Sequence, residues 1–240
     1  MDIIFNLQHE NHLLDALSQT ERQHWMRQLE WVEMPLGQVL YESGRAIENV
    51  YFPVTAAVSL QYLAEDGTSV EFAGVGSEGM VGIASIMGSN STPSRAVVES
   101  AGRGYRMKAQ AIKDEFSRSH PVMLLLLRYA YTLMTQMAQT AVCNRQHTLD
   151  QQLCRWLLSY IDRLGDGEIL MTQERIAGML GVRREGVTEA ALKLQRAGLI
   201  SYQRGHIRVL DRAGLEKRSC RCYAVVKTEF DRLLPHRLAA

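Results

Sequence analysis

Two glycines, Gly181 and Gly198, divide residues 172–200 into two short amphipathic segments, and this division restricts the fold more than any other feature of the chain. Thr172 stands where a capping hydroxyl opens a first helix running through Leu180, which Gly181 breaks. A second helix is expected from about Arg184 to Ala197, with Gly198 as its stop. Ile176, Leu180, Val187, Ala191 and Leu194 supply a shared core at helical spacing. Ala177, Gly181 and Val187 fall where a helix-turn-helix needs a small residue at the crossing, a turn glycine and an apolar anchor. Beyond Gly198, apolar residues alternate on both sides of Arg204-Gly205, which predicts a small hairpin with a basic tip. Helix, turn, helix and hairpin is the order of a winged helix. The same pattern also fits a three-helix core module that binds no nucleic acid. Arg183, Arg184, Lys193 and Arg196 on the second helix, with Arg204 and Arg208 on the hairpin, favour a polyanionic partner.

Charge distribution agrees with that reading. The net charge of +1 over 240 residues conceals −4 for residues 1–146 and +5 for residues 147–240. The N-terminal MDIIFNLQHE lacks a basic start followed by an apolar run, and the longest apolar stretch, Pro121–Leu127, is far too short for a membrane span, so a cytoplasmic location without a membrane partner is expected. The four cysteines, Cys143, Cys154, Cys220 and Cys222, are read as lying inside helices, away from any disulfide framework. Residues two apart on a helix point to different faces, so Cys220 and Cys222 are expected to form neither a metal site nor a disulfide, leaving bystander thiols or an exposed redox thiol. His9, His12, His24, His120, His147, His206 and His236 show no metal-ligand spacing. No metal site is therefore expected, and haem has no support. A P-loop, a nucleophile elbow and a credible acid/base pair are all missing, which argues against an enzyme.

The remainder reads as a β-rich domain followed by a long helix. The first thirty residues have helical spacing, with Ser18 or Thr20 capping a second piece. Strands are expected at Val39–Tyr41, Val50–Phe52, Val58–Leu63, Ser69–Val75, Ala96–Val98 and Gly104–Met107, with Asp66-Gly67 as a hairpin turn. Short strands at this density predict a sandwich or barrel. Pro121 opens a long helix in which Met123, Leu127, Ala130, Met134, Met137 and Ala141 recur in steps of four and three. Such a stripe can pack on the chain's own β-domain or form a coiled-coil dimer seam; the strict 3.5 period favours the seam. Thr148 caps the next helix, which carries Leu149, Leu153, Trp156, Leu157, Tyr160 and Leu164 and ends at Gly165-Asp166-Gly167, a boundary.

With these features in place, the chain resembles the Crp/Fnr regulators from about residue 13 to 234. The resemblance is carried by VEFAGVGSEGMVG (70–82), Arg95-Ala96, CNRQHTLDQQLCRWLL (143–158) and TQERIAGMLGVRREGVTEAALKLQRAGLI (172–200) with its wing. It implies an α+β fold: a cyclic-nucleotide-binding-like, jelly-roll-like β-roll with N-terminal helices over 1–120, a dimerisation helix over 121–146 and a winged helix-turn-helix over 147–240. It further implies a homodimer that reads a pseudo-palindromic site on double-stranded DNA, with RNA polymerase and a small effector as further partners.

Base-reading positions carried over from the family fall on Arg184 and Glu185, with Thr188 as a third contact. Arginine can bridge guanine O6 and N7, and glutamate can accept from cytosine N4. Glu189 stands where the family usually has arginine, so the half-site is expected to differ. Arg183 replaces the usual Ser or Thr cap and is expected to contact phosphate. Gln173, Arg204 and His206 complete the expected DNA-binding set. In the sensor, Gly82 matches the family's ribose-binding pair, but Ile83 replaces its glutamate. Arg95, followed by Ala96, matches the phosphate arginine, although it could equally pair with Glu99 or Glu78. Met137 and Ala138 replace the adenine-contacting hydroxyls. Apolar residues leave the ligand's polar groups unpaired, so cyclic AMP is not expected to bind well. The iron–sulfur members carry N-terminal cysteines, and this chain has none before Cys143, so no iron–sulfur cluster is expected. Two rival readings stay open: a regulator whose sensor pocket is vestigial, and a protein-interaction adaptor built on a winged-helix module.

Overall fold

The computed structural model describes residues 11–65, 67–164 and 168–234. The first ten residues, Asp66 of the expected hairpin turn, the Gly165-Asp166-Gly167 break, and His9 and His236 lie outside the described residues. No helix of the described residues is long and apolar enough to cross a membrane.

Two short helices come first, α1 (His12–Asp15) and α2 (Gln19–Met26), with Ser18 as the α2 cap. The strands β1 (Glu30–Met34), β2 (Val39–Tyr41), β3 (Asn49–Pro53), β4 (Ala57–Leu63), β5 (Ser69–Val75), β6 (Arg95–Ser100) and β7 (Gly102–Lys108) follow. They form two antiparallel sheets ordered β1-β7-β3 and β2-β6-β4-β5. All six strands expected from the sequence are present; β1 is the addition, its exposed Trp31 and Glu33 having blurred the alternation. Side-chain alternation divides the second sheet into two faces. Val58, Leu60, Ala96 and Val98 join the apolar interior of the roll. Gln61, Arg95 and Glu99 form a polar chain in which Arg95 Nε donates to Gln61 Oε1 at 3.2 Å and Gln61 Nε2 donates to Glu99 Oε1 at 3.0 Å.

A helix the sequence reading did not separate, α3 (Ala109–Arg118), leads into α4 (His120–Gln146). Ser119 caps α4, and Pro121 lies in its first turn. One stripe of α4 is buried within the chain: Val122, Leu126, Tyr129, Leu133, Gln136, Thr140 and Cys143. A second stripe is exposed: Leu124, Leu127, Tyr131, Met134, Ala138, Ala141 and Val142. The expected seam therefore needs correction. Leu127, Met134 and Ala141 lie on the open stripe, but Ala130 is buried within the chain, Met137 packs on the roll core and Met123 is half-buried. Both stripes keep a 3.5-residue period, so periodicity does not distinguish the one that seals the roll.

Helix α5 (Leu149–Leu164) opens with a capping box: Thr148 N donates to Gln151 Oε1 at 3.1 Å and Gln151 N donates to Thr148 Oγ1 at 3.4 Å. After β8 (Ile169–Leu170) come α6 (Gln173–Leu180), α7 (Arg184–Arg196), β9 (Ile200–Gln203), β10 (His206–Val209), α8 (Arg212–Arg218) and α9 (Arg221–Leu233). The small sheet is ordered β8-β10-β9. Helix α9 packs back along α4.

The winged helix rests against the outer face of β4–β6. Gly74 and Gly76 make room for Arg163 of α5: a Cβ at these positions would lie 2.5 Å and 2.4 Å from Arg163 atoms. Arg163 Nε then pairs with Glu78 at 3.2 Å. Arg175 of α6 pairs with Glu99, and Gln136 of α4 accepts from Gly74 N at 3.0 Å. Burial pushes the Glu71 and Glu99 carboxyls above the ordinary range, against the pull of Arg163 and Arg175 respectively.

The cysteines also differ from expectation. Cys220 is the N-cap of α9 and lies outside its helical turns, so the opposite-face argument does not apply to Cys220 and Cys222. Both are buried with Cys143. Cys143 and His147 are four apart at the end of α4 and share a face, a spacing the reading of the histidines overlooked.

The packing of α4 and of the polar sheet face can each be tested. A Cβ on Gly79 would lie 2.3 Å from the Tyr129 ring, whose hydroxyl donates to Met80 O at 2.7 Å, so Gly79→Ala is expected to cost about 1–3 kcal/mol in denaturant unfolding. Glu71 has a raised pKa in the fold, so its stabilising contribution is complete below the unfolded pKa and is lost as pH rises through the folded value. Glu71→Gln should therefore raise Tm at pH ~7, with the gain shrinking as pH is lowered towards ~4; a gain that grows on acidification would contradict this.

Candidate nucleic-acid interface

Helix α6 is set by local chemistry. Thr172 Oγ1 accepts from Arg175 N at 3.3 Å, and Gly181 closes the helix in the left-handed region at φ 65°. The Val182 N–H then bonds to Ala177 O at 3.0 Å, which turns the chain sharply into α7. Ile176, Ala177, Leu180, Val187, Ala191 and Leu194 are all buried in one cluster with α5, so the expected shared core is present. Gly186 lets α7 approach the start of α5, since a Cβ there would lie 2.7 Å from Leu149 Cδ2.

This packing turns the first residues of α7 outward. Arg183, Arg184 and Glu185 are exposed. Arg183 is the N-cap residue and makes no side-chain capping bond, so its guanidinium is not used to close the helix. Arg184 is held loosely, with Nε 4.0 Å from Glu174 Oε2. Thr188 donates to Gln173 Oε1 at 2.6 Å, which joins two expected contact residues across the α6–α7 turn. Glu189 points back along α7 to Lys193 at 3.0 Å, and this bond raises the Lys193 pKa. The ion pair offsets the anionic charge that would otherwise face phosphate.

In the wing, β9 and β10 pair from Gln203↔His206 to Ile200↔Val209. Arg204 at φ 50° and Gly205 at φ 86° make the two-residue turn, with both residues left-handed as a type I′ hairpin demands. Arg204 is thereby exposed at the tip. His206 pairs with Glu168 on the neighbouring segment at 3.1 Å.

The expected effector residues are not brought together. Gly82 holds φ 99° and opens a short 3-10 turn at Ile83–Ile86. Ile83 packs against the roll interior, as does Met137, and Ala96 is fully buried there. Arg95 lies on the opposite face of β6, bonded to Gln61, because adjacent strand residues point to opposite faces. Ala138 is exposed on α4. Arg95 and Ala138 are therefore corrected: neither lies in the roll interior. That interior is lined by Val58, Leu60, Val75, Val81, Val98 and Leu133. A cavity of about 200 Å³ lies between α4, α5 and α9, lined in part by Gln136, Asp162, Arg163, Tyr223 and Lys227.

Sequence reasoning missed the link from α6 to the sheet through Arg175 and Glu99. Its available signal was a glutamate following Val97 and Val98 in a buried strand.

Comparison with known families places a cyclic nucleotide-binding domain model on residues 31–119 and a Crp-like helix-turn-helix domain model on residues 151–218. Comparison with curated proteins finds no match. Among solved structures, FixK2 from Bradyrhizobium japonicum is similar at 18% identity, covering 80% of this chain and 98% of its own, with a TM-score of 0.70. A CRP-family transcriptional regulator from Thermus thermophilus is similar at 19% identity over 78% of this chain and 96% of its own, TM-score 0.64. The c-di-GMP responsive global regulator CLP of Xanthomonas campestris matches at 13% identity over 81% of this chain and 100% of its own, TM-score 0.64. At these identities the neighbours establish the fold, whereas the two domain models bear on the family. With a cyclic nucleotide-binding domain and a Crp-like helix-turn-helix in this order on one chain, joined by a long helix, the protein belongs to the Crp/Fnr family of DNA-binding transcription regulators.

Proposed function

We propose that this regulator acts in the cytoplasm as a homodimer that reads a pseudo-palindromic DNA site, with 1–120 as sensor, 121–146 as dimerisation helix and 147–240 as DNA-binding domain. The observation that carries this reading is the outward N-terminal end of α7, with Arg183, Arg184 and Glu185 exposed above a buried helix-turn-helix core. Arg184 and Glu185 read base edges, Arg183 and Arg204 hold phosphates, and the Gln173–Thr188 pair stiffens the reading surface. Glu189, held by Lys193, moves the preferred half-site away from a guanine at that step. His206 borders the wing contact. Two such surfaces presented one helical turn apart, roughly 34 Å, read two half-sites.

Dimerisation is supported by the open α4 stripe: Leu127 is 46% and Met134 57% exposed, in an apolar row that continues through Leu124, Tyr131 and Val142. RNA polymerase is the partner through which a bound dimer would act on transcription. An effector, where there is one, is not cyclic AMP. Ile83 offers no carboxylate to a ribose, and Arg95 is engaged with Gln61. The apolar lining of the roll interior favours a second reading, that of an effector-independent regulator with a vestigial pocket.

Arg184→Ala is expected to cost about 1–3 kcal/mol at one base position, measured by fluorescence anisotropy over a set of single-base operator variants. Equal weakening of every sequence would make Arg184 a phosphate contact instead. Charged substitutions at Leu127 or Met134 should give monomers on size-exclusion chromatography; an unchanged dimer would sink the stripe assignment. An adaptor that uses the winged helix only to dock proteins would show little salt dependence of DNA binding, whereas a phosphate-reading dimer loses affinity steeply with salt.

A further inference from the structure

The structure assembles a four-ligand group at the junction of α4 and α9, away from the DNA-reading surface. Cys143, His147, Cys220 and Cys222 each offer one ligand atom, and these atoms all lie within 4.8 Å of one another. Cys143 Sγ is 3.5 Å from Cys220 Sγ, and Cys222 Sγ is 3.6 Å from His147 Nδ1. A tetrahedral Zn²⁺ with Zn–S of about 2.3 Å and Zn–N of about 2.0–2.1 Å has S···S edges of ~3.8 Å and S···N edges of ~3.6 Å. The two observed separations match those edges to within a small adjustment. All three thiols are buried and the imidazole is half-buried.

We propose that Cys143, His147, Cys220 and Cys222 bind one structural Zn²⁺ that clamps the last turn of the long helix to the first turn of α9. A Cys₃His set with no oxygen ligand selects a thiolate-preferring metal over Mg²⁺ or Ca²⁺, and four ligands from the chain close the coordination sphere as in a structural zinc site. The mutual closeness of the ligand atoms suits one ion; a cluster of several irons would hold its thiolates farther apart. Binding releases to solvent whatever protons the three sulfurs hold and forms three Zn–S bonds and one Zn–N bond.

The surroundings fit this charge. Zn²⁺ with three thiolates carries one net negative charge. Arg155 of α5, 8% exposed, acts electrostatically on the Cys143 and Cys222 sulfurs. Its Nε is buried without a hydrogen-bond partner among the described residues. A buried guanidinium with an unpaired donor is costly, and an anionic metal centre beside it offsets that cost. Gln152 braces the ligand-bearing turn by donating to His147 O at 2.9 Å and to Cys143 O at 3.4 Å.

Cys143 and His147 lie at the C-terminal end of α4, and Cys220 and Cys222 at the start of α9 in the DNA-binding half. The ion would therefore fix the pose of the winged helix on α4.

The test uses the full chain purified under reducing, oxygen-free conditions. Zinc is measured by elemental mass spectrometry, and Co²⁺ is titrated into the metal-stripped protein. The expected result is close to one Zn²⁺ per chain, with the intense thiolate-to-Co²⁺ absorption and strong visible bands of tetrahedral cobalt. Cys222→Ser and His147→Ala should each weaken metal binding by more than the about 10–100-fold that is lost when a residue merely bracing a ligand is removed. Cys154→Ser, a buried cysteine outside the group, should leave it unchanged. The wild-type cobalt spectrum tests the site even if a variant does not fold. Background zinc with no thiolate-to-Co²⁺ band overturns the proposal. So does zinc retained fully by both ligand variants, which would mark adventitious surface binding. A Cys143–Cys220 disulfide in the freshly isolated, metal-free protein would also overturn it and make the pair a redox site.

Discussion

The burial of one stripe of α4 against the β-roll is the constraint on which the rest of the molecule depends. Leu126, Tyr129 and Leu133 are within 2% of full burial, and the Tyr129 hydroxyl reaches through the gap left by Gly79 to the Met80 carbonyl. Burial of large side chains such as these contributes on the order of 1.5–3 kcal/mol each, which is ample to fix the helix's rotation about its axis. That rotation determines what the opposite face can do. It leaves Leu127, Tyr131 and Met134 open to a second chain, and it brings Cys143 and His147 towards α9.

Contact between sensor and winged helix has a different chemistry. Its centre is polar: Arg163 lies over two glycines and pairs with Glu78, Arg175 pairs with Glu99, and Glu71 is held with a raised pKa. In each pair one partner is buried, so desolvation offsets much of the attraction, and removing the other partner leaves that buried charge uncompensated. Such an interface tolerates a small number of arrangements.

At the reading surface, stability and recognition are kept apart. The helix-turn-helix core takes the apolar residues of α6 and α7, and the turn chemistry of Thr172 and Gly181 sets their crossing. The polar residues at the start of α7 contribute almost nothing to that core. Glu189 is exposed among them and finds its partner locally in Lys193.

The sequence by itself determined what depends on local chemistry. Six strands of the roll, the capped helices, the glycine-stopped helix-turn-helix and the hairpin around Arg204-Gly205 follow from residue types within a few positions of one another, whereas β1 and the break between α3 and α4 do not. Arg184 and Glu185 were picked out by the family resemblance, and the buried core at Ile176, Leu180, Val187 and Leu194 accounts for their outward placement. What depends on a choice between equivalent faces was decided by tertiary packing. Helix α4 carries two apolar stripes of the same period, and only its contact with the roll assigns Ala130 and Met137 inward and Tyr131 outward. Arg95 shares a strand with Ala96, and only the pairing of β6 with β4 puts Gln61 beside it, while the docking of α6 brings Arg175 to Glu99 on the same face. The thiol–imidazole group joins residues more than seventy positions apart, and its geometry rests on Cys220 being a cap outside the helix. Period and propensity act over a few residues, whereas the selection of one face among several is made by burial against elements distant in the chain.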